Sequence, residues 1–407
     1  MALSVYVHVP FCRSRCRYCA FYSGEPMDRL ERYGGWIQRE AALRRVAGWV
    51  GPVATVYFGG GTPSLLPVGD VAAVLETIDR LWGLGSRAEI SLEANPSPEP
   101  DWVGLRAAGV TRVSVGVQAL DERILAALGR SHDSRQARQA LQGAVRAGFR
   151  RVGADLLFGV PGLSPPALAR WVGELADRGV GHLSAYSLEL HPGTPLHREF
   201  AEGEGVGVPE AVEAAQWEAL VQAVARAGFR PYELSNFALP GHRCAHNLRY
   251  WNGQPYLGLG PGAHSFAPGR GRWGTRSWND PGLRGYVAHL GRDTAPPGGS
   301  ETLTRKEALL EFLFLWLRRA VSLRPESLAE RFALDPLEVE GALRQLAGHG
   351  LLRRRASGSY RPTPDAWRRA DGLAVTLHGA LRSPPGRLDS ARGRCYRTAL
   401  ALSGREC

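Results

Sequence analysis

The chain reads as an α/β protein with a parallel sheet at its core. Apolar runs of strand length alternate six times with amphipathic segments of helical spacing as far as about residue 230. The rhythm then breaks, and helical patterning returns after residue 301. No stretch approaches the roughly 18 consecutive apolar residues of a membrane span.

The expected strands are Leu3–Val9, Val53–Phe58, Ala88–Glu93, Thr111–Val117, Arg151–Phe158 and Gly181–Leu188. Between them, apolar residues at helical spacing mark Leu30–Ala47, Val68–Leu81, Glu122–Leu128, Ser134–Ala147 and Pro165–Arg178. Six such units form either an open doubly wound sheet or an incomplete barrel, and periodicity does not separate the two. Residues 231–300 are rich in Gly, Pro, Trp and Asn, as in Gly258-Leu-Gly-Pro-Gly262, and read as an irregular extension over a site. Residues 301–378 hold helices at Thr304–Arg319, Pro325–Phe332 and Asp335–Gly348, then a basic hairpin pattern over Leu351–Pro362. This is the pattern of a small helical, winged-helix-like C-terminal domain. The last stretch, 379–407, has little periodicity and reads as a loose tail. The division is thus 1–230, 231–300, 301–378 and the tail.

Of 407 residues, 44% are hydrophobic and 22% charged, which excludes a largely disordered chain. The 50 basic residues exceed the 39 acidic ones by 11. Such a surplus fits a nucleic-acid surface, and the run Arg353-Arg354-Arg355 lies in the hairpin. Yet Lys306 is the only lysine, and with 50 Gly and 28 Pro the balance carries the mark of codon bias. A nucleic-acid partner is therefore not expected. The N-terminus enters an apolar run at once, without a basic leader or a small-residue cleavage site, so a cytoplasmic location is expected.

Six cysteines are present: Cys12, Cys16, Cys19, Cys244, Cys395 and Cys407. Three fall within eight residues, just after the first expected strand. Such clustering favours metal or redox chemistry over a disulfide framework. Three thiolates in one loop can hold three irons of a 4Fe–4S cluster and leave the fourth open to an outside ligand. A zinc site, or thiols without a shared role, is the plain alternative. After the second strand comes Phe58-Gly59-Gly60-Gly61-Thr62-Pro63. Its glycines permit positive φ and close backbone approach to a ligand; alone, such a run is as often a tight turn. Polar residues end later strands: Glu93, Gln118 and Asp155, with Arg130 following in Leu128-Gly-Arg130-Ser-His132. Ligands of parallel sheets gather at that end, although each residue alone is better read as a cap. Finally, His246-Asn247-Leu-Arg-Tyr250-Trp251 sets an imidazole beside aromatics. Histidine can ligate heme iron, but a lone one beside aromatics is usually structural.

Cys12-x3-Cys16-x2-Cys19, with Tyr18 before the last cysteine, resembles the signature of the radical S-adenosylmethionine (SAM) superfamily. The resemblance implies a 4Fe–4S cluster on Cys12, Cys16 and Cys19, with SAM on the open iron. The strand-end set resembles the oxygen-independent coproporphyrinogen III oxidase-like branch. By that likeness Tyr6, Tyr18, Gly60, Gly61, Thr62, Glu93, Gln118, Arg130 and Asp155 contact SAM, with Arg130 suited to a carboxylate. The His-Asn-x-x-Tyr-Trp motif is similar to that of the heme chaperones of this branch, the HemW type. It implies a heme site at His246, Asn247, Tyr250 and Trp251, with His264 and Cys244 as weaker ligand candidates. Porphyrinogen oxidases of the branch carry a further cysteine where Phe21 stands here, and a longer N-terminal extension.

The resemblance selects an incomplete six-unit (β/α) barrel over an open doubly wound sheet. It implies a heme chaperone that binds heme and passes it to an acceptor protein, membrane-associated acceptors included. An electron-donor protein and a homodimer are further expectations. A coproporphyrinogen III oxidase is the alternative.

Overall fold

A computed structural model describes residues 2–203, 207–269, 271 and 273–381. Six parallel strands form its centre in chain order: β1 (Leu3–Val9), β2 (Val53–Gly60), β3 (Leu84–Ala94), β4 (Arg112–Gln118), β5 (Arg151–Phe158) and β6 (His182–Ser187). The crossovers carry α1 (Tyr33–Val46), α2 (Val68–Trp82), α3 (Trp102–Ala107), α4 (Glu122–Ala127), α5 (Ser134–Arg146) and α6 (Pro165–Asp177). Several of these helices start where the sequence supplies a cap. Asp133 and Gln136 form a reciprocal capping box on α5, and the Ser164 side chain accepts from Ala167 N on α6. Two more helices, α7 (Pro195–Ala201) and α8 (Glu210–Arg226), follow β6.

The strands of the barrel alternate along most of their length, with Val53 of β2 and Leu157 of β5 as apolar exceptions. Val5, Val7 and Val9 of β1, Val56 and Phe58 of β2, Leu92 of β3, and Val113, Val115 and Val117 of β4 are buried apolar residues. Their neighbours in sequence point to the other face. That inner face holds Ser4, Tyr6 and His8; Thr55 and Tyr57; Glu89, Ser91 and Glu93; Arg112 and Ser114; Asp155; His182, Ser184 and Tyr186. The outer face covers the helices, while the inner one is almost wholly polar and built to meet a polar ligand.

Residues 231–300 prove more regular than their Gly and Pro content implies. They contribute β8 (Asn236–Ala238), preceded by β7 (Arg230–Pro231), then α9 (Ala245–Trp251), β9 (Tyr256–Leu259), β10 (His264–Ala267), β11 (Thr275–Asn279), α10 (Leu283–Leu290) and β12 (Gly298–Thr302). Strand β9 runs parallel to β1, and β10, β11 and β12 follow antiparallel. Strand β8 adds antiparallel to β6, and β7 to β8. The sheet therefore has 12 strands, in the order β12-β11-β10-β9-β1-β2-β3-β4-β5-β6-β8-β7. Both ends of the six-unit arrangement are extended, and it stays open. Glu40 of α1 fastens this extension. It is fully buried and accepts from Gly260 N at 2.7 Å, Asn279 Nδ2 at 2.8 Å and Tyr286 OH at 2.7 Å.

The C-terminal part comprises α11 (Arg305–Leu317), α12 (Pro325–Phe332), α13 (Pro336–Gly348), the hairpin β13 (Leu352–Arg354) and β14 (Tyr360–Pro362), α14 (Pro364–Trp367) and α15 (Ala370–Ala380). Its own apolar cluster includes Leu313, Trp316, Phe332, Leu343, Tyr360 and Leu377. Of the expected tail, residues 382–407, with Cys395 and Cys407, lie outside the described residues. No described helix is long and apolar enough to cross a membrane.

Candidate cofactor site

Cys12, Cys16 and Cys19 lie in the loop leaving the C-terminal end of β1, each half-buried and free of disulfides. Other residues of the loop hold it in place. Arg17 N donates to Leu128 O at 3.1 Å, and its guanidinium donates to Ala127 O at 3.0 Å and pairs with Glu199. Its carbonyl accepts from Leu196 N at 3.0 Å. The end of α4 and the side of α7 thus grip the loop from two directions. The end of β2 presses on it as well. A Cβ at Gly61 would stand 2.6 Å from Phe11 O and 2.8 Å from Val9 O, so only glycine fits. Gly60, at φ +112, turns its N–H to Glu93 Oε2 at 3.1 Å.

All three sulfurs meet hydrogen-bonding groups, Cys19 through the Phe21 backbone and the Ser23 hydroxyl. Thr62 Oγ1 lies 3.4 Å from Cys12 Sγ, and Arg130 Nη1 donates to Cys16 Sγ at 3.2 Å. Burial raises the thiols of Cys12 and Cys19, so binding a metal must displace their protons. Among the described residues, no three His, Cys, Asp or Glu side chains converge on a single metal ion. Cysteines of an iron–sulfur cluster each take a separate iron and need no such convergence. Thiols with charged and hydroxyl donors at the sulfur suit a cluster, whose potential depends on such bonds.

The inner face beside the loop carries the rest of the expected set. Glu93 accepts from Tyr57 OH at 2.8 Å, and Asp155 accepts from Ser114 Oγ at 3.0 Å. Burial, then the nearby charge of Asp155, pushes the Glu93 carboxyl up to about 7. Burial likewise raises Asp155, against the pull of Ser184 and Ser114. Two acids that resist ionisation favour an arriving cation, and SAM brings an ammonium and a sulfonium. Gln118 ends β4 in the left-handed region at φ +64, a strained position for a residue with a side chain. Tyr6 OH lies 3.1 Å from His8 Nδ1, and Tyr18 hydrogen-bonds Arg130 beside the thiols. Arg130 lies beside the cysteine loop: Nη2 donates to Asn95 Oδ1 at 2.7 Å and Gly116 O at 2.8 Å while Nη1 holds Cys16, leaving buried Nε as the unpartnered donor.

The His-Asn-x-x-Tyr-Trp motif forms α9, whose N-terminus is held by buried Glu89 of β3. Glu89 Oε1 accepts from Ala245 N at 2.8 Å and His246 N at 3.2 Å. His246 is fully buried. Its Nδ1 lies 2.8 Å from Thr55 Oγ1 and its Nε2 lies 2.9 Å from Tyr250 OH. Burial pushes its pKa down to about 3, so it is neutral. Both nitrogens are engaged, and as seated His246 offers iron no lone pair. Asn247, Tyr250 and Trp251 are half-buried. Tyr57 stands between the two halves of the site, its ring 5.1 Å from that of His246 and its hydroxyl on Glu93. The weaker candidates divide. Cys244 is the buried first residue before α9, 3.5 Å from Glu89 Oε1, its thiol pushed up to about 12 by burial. His264 is half-buried, with its ring 6.1 Å from Trp278. Tyr57, Asn95 and Ser114 were not foreseen. Two-residue alternation was the signal available for Tyr57 and Ser114, since both share a face with Glu93 and Asp155.

Residues 6–172 match the Radical SAM superfamily. The heme chaperone HemW of Mycobacterium tuberculosis is 38% identical over 347 residues, covering 83% of this chain and 88% of that one. HemW of Bacillus subtilis is 30% identical over 368 residues, covering 88% and 94%. The chain belongs to the HemW family. Members of this radical SAM family use a 4Fe–4S cluster and SAM, and the cysteine loop and acidic pair described above fit both. The coproporphyrinogen III oxidase HemN of Escherichia coli superposes with a TM-score of 0.77, over 93% of this chain and 90% of that one, at 20% identity. That likeness establishes the shared fold, a radical SAM barrel with a helical C-terminal part.

Proposed function

We propose that this chain is a heme chaperone that binds heme and hands it to an acceptor protein. The observation that carries this reading is similarity along nearly the whole length of proteins named for that role. Cys12, Cys16 and Cys19 would hold the cluster. Tyr6, Tyr18, Gly60, Gly61, Thr62, Glu93, Gln118, Arg130 and Asp155 would surround SAM, Arg130 reaching the cluster as well through Cys16. Bound there, the cluster would supply one-electron chemistry toward SAM, with its electron from a donor protein. Phe21, exposed in the loop, stands where the oxidases have a further cysteine, and this disfavours porphyrinogen decarboxylation. Heme would dock against α9, with Asn247 and Trp251 beside it. Iron would take His246 Nε2 once the Tyr250 hydroxyl swings away from it. A cytoplasmic location and a homodimer complete the proposal.

An anaerobic heme titration, followed in the Soret region, tests it. Tyr250→Phe releases Nε2 and should tighten binding, whereas His246→Gln should weaken it. Equal affinities in wild type and both variants would overturn ligation by His246. Failure of any form to deliver heme to apo-proteins would overturn the chaperone reading.

A further inference from the structure

Asn95 follows β3, one residue beyond its end, and joins the donors of two cysteines. Its Oδ1 accepts from Arg130 Nη2 at 2.7 Å, and its Nδ2 donates to Thr62 Oγ1 at 3.0 Å. The orientation of the amide is fixed by chemistry, because a guanidinium can only donate. Since Thr62 Oγ1 receives the amide proton, its own hydroxyl proton is left for Cys12 Sγ, 3.4 Å away. Since Nη2 is occupied by Asn95 and Gly116 O, the planar fork turns Nη1 onto Cys16 Sγ at 3.2 Å. One amide therefore orients both donors, in a chain that runs Cys12, Thr62, Asn95, Arg130, Cys16.

No other side-chain type of this size does both jobs. Aspartate offers acceptors only, and leucine neither donor nor acceptor. The surroundings are shaped to the same end. A Cβ at Gly116 would lie 3.2 Å from Arg130 Nη2 and 3.3 Å from Asn95 Oδ1, so position 116 keeps the contact open by lacking a side chain.

We infer that Asn95 is a positioning residue for the cluster, holding Thr62 and Arg130 as donors to two of its three sulfurs. Donors at cluster sulfurs stabilise the reduced, more negative state and raise the reduction potential. The inference rests on the cluster assignment proposed above, and the experiment separates the two. Wild type, Asn95→Leu and Gly116→Ala are reconstituted anaerobically, assayed for iron and sulfide, and titrated with EPR detection of the reduced cluster. Loading should persist, because the three cysteines remain. The midpoint potential should fall in both variants, with an altered EPR line shape. A tenfold loss of preference for the reduced state corresponds to about 59 mV for a one-electron couple. Gly116→Ala keeps Asn95 and crowds its contact, so it serves if Asn95→Leu folds poorly. Wild type without a cluster would overturn the cluster assignment. Loaded variants with the potential and spectrum of wild type would overturn the role of Asn95.

Discussion

Replacing His246 by alanine should cost stability before it says anything about heme. The imidazole is fully buried between Thr55 and Tyr250, and each of its nitrogens has a partner. Truncation leaves Thr55 Oγ1, itself buried, without its partner, at about 1–3 kcal/mol. The vacated ring space beneath Tyr57 adds a cavity term of similar size. A total of about 2–6 kcal/mol results, on the order of 2–7 °C in Tm for a cooperative unit of about 400 residues. Thr55→Val and Tyr250→Phe each remove one bond and should cost about 1 kcal/mol. Thermal unfolding of the four proteins, followed by intrinsic fluorescence, measures this. A loss below about 1 kcal/mol for His246→Ala would refute the reasoning, since it would mean the ring is not a strut between α9 and β2. The same numbers govern the heme titration: alanine at 246 confounds lost ligation with lost structure, and glutamine is the cleaner variant.

Other outcomes follow from the same geometry. Glu40→Ala should destabilise by about 3–5 kcal/mol, because it strands Gly260 N and Tyr286 OH of the 231–300 extension and removes one acceptor each from Arg44 and Asn279, a loss chemical denaturation will register. Gly61→Ala should push the cysteine loop off the end of β2 and cut iron retained after reconstitution several-fold, with little change in far-UV circular dichroism. The pH profile of Tm should bend. His8 and His132, lowered to about 4, and His246, lowered to about 3, stay neutral in the fold while the unfolded chain takes up protons below about 6.5. Their contribution is complete above that pH and is lost as pH falls. Glu93 and Glu233, raised to about 7, act oppositely between about 4.5 and 7 and cease to matter below. Through these groups Tm should therefore fall most steeply at about pH 4 to 4.5, where the glutamates no longer oppose the histidines, and less steeply once His8 and His132 protonate in the fold.

The six central strands were legible because each is a run of six to eleven residues with an apolar outer face. Two strands match to the residue, Leu3–Val9 and Arg151–Phe158. Helix α3, as short as α4, went unread because Trp102–Ala107 carries a glycine in mid-helix that breaks its apolar pattern. Helix α8 and strands β8 to β12 went unread for related reasons: alanines blur the helical stripe, and strands of three to five residues between glycines show no alternation. The cysteine loop stood out by its spacing, and the family resemblance turned that spacing into the expectation of a cluster. The fate of His246 was not legible, since nothing local announces that Thr55, 191 residues earlier in the chain, will cover one nitrogen. Nor did the sequence announce the partners that Arg130 has within the protein. Its neighbours Cys16, Asn95 and Gly116 come from three separate strand ends, and only the fold assembles them.

The grip on Arg17 bears on how the protein survives air. Iron–sulfur clusters with an open iron are dismantled by oxygen, and a loop whose shape came from the metal would collapse with it. Here the loop is fastened by a backbone amide, a carbonyl and a guanidinium, none of them on a cysteine. The segment that carries its three thiols is held at the end of β1 by contacts that use no sulfur. A socket fastened in that way would be refilled with iron and sulfide without refolding of the chain around it.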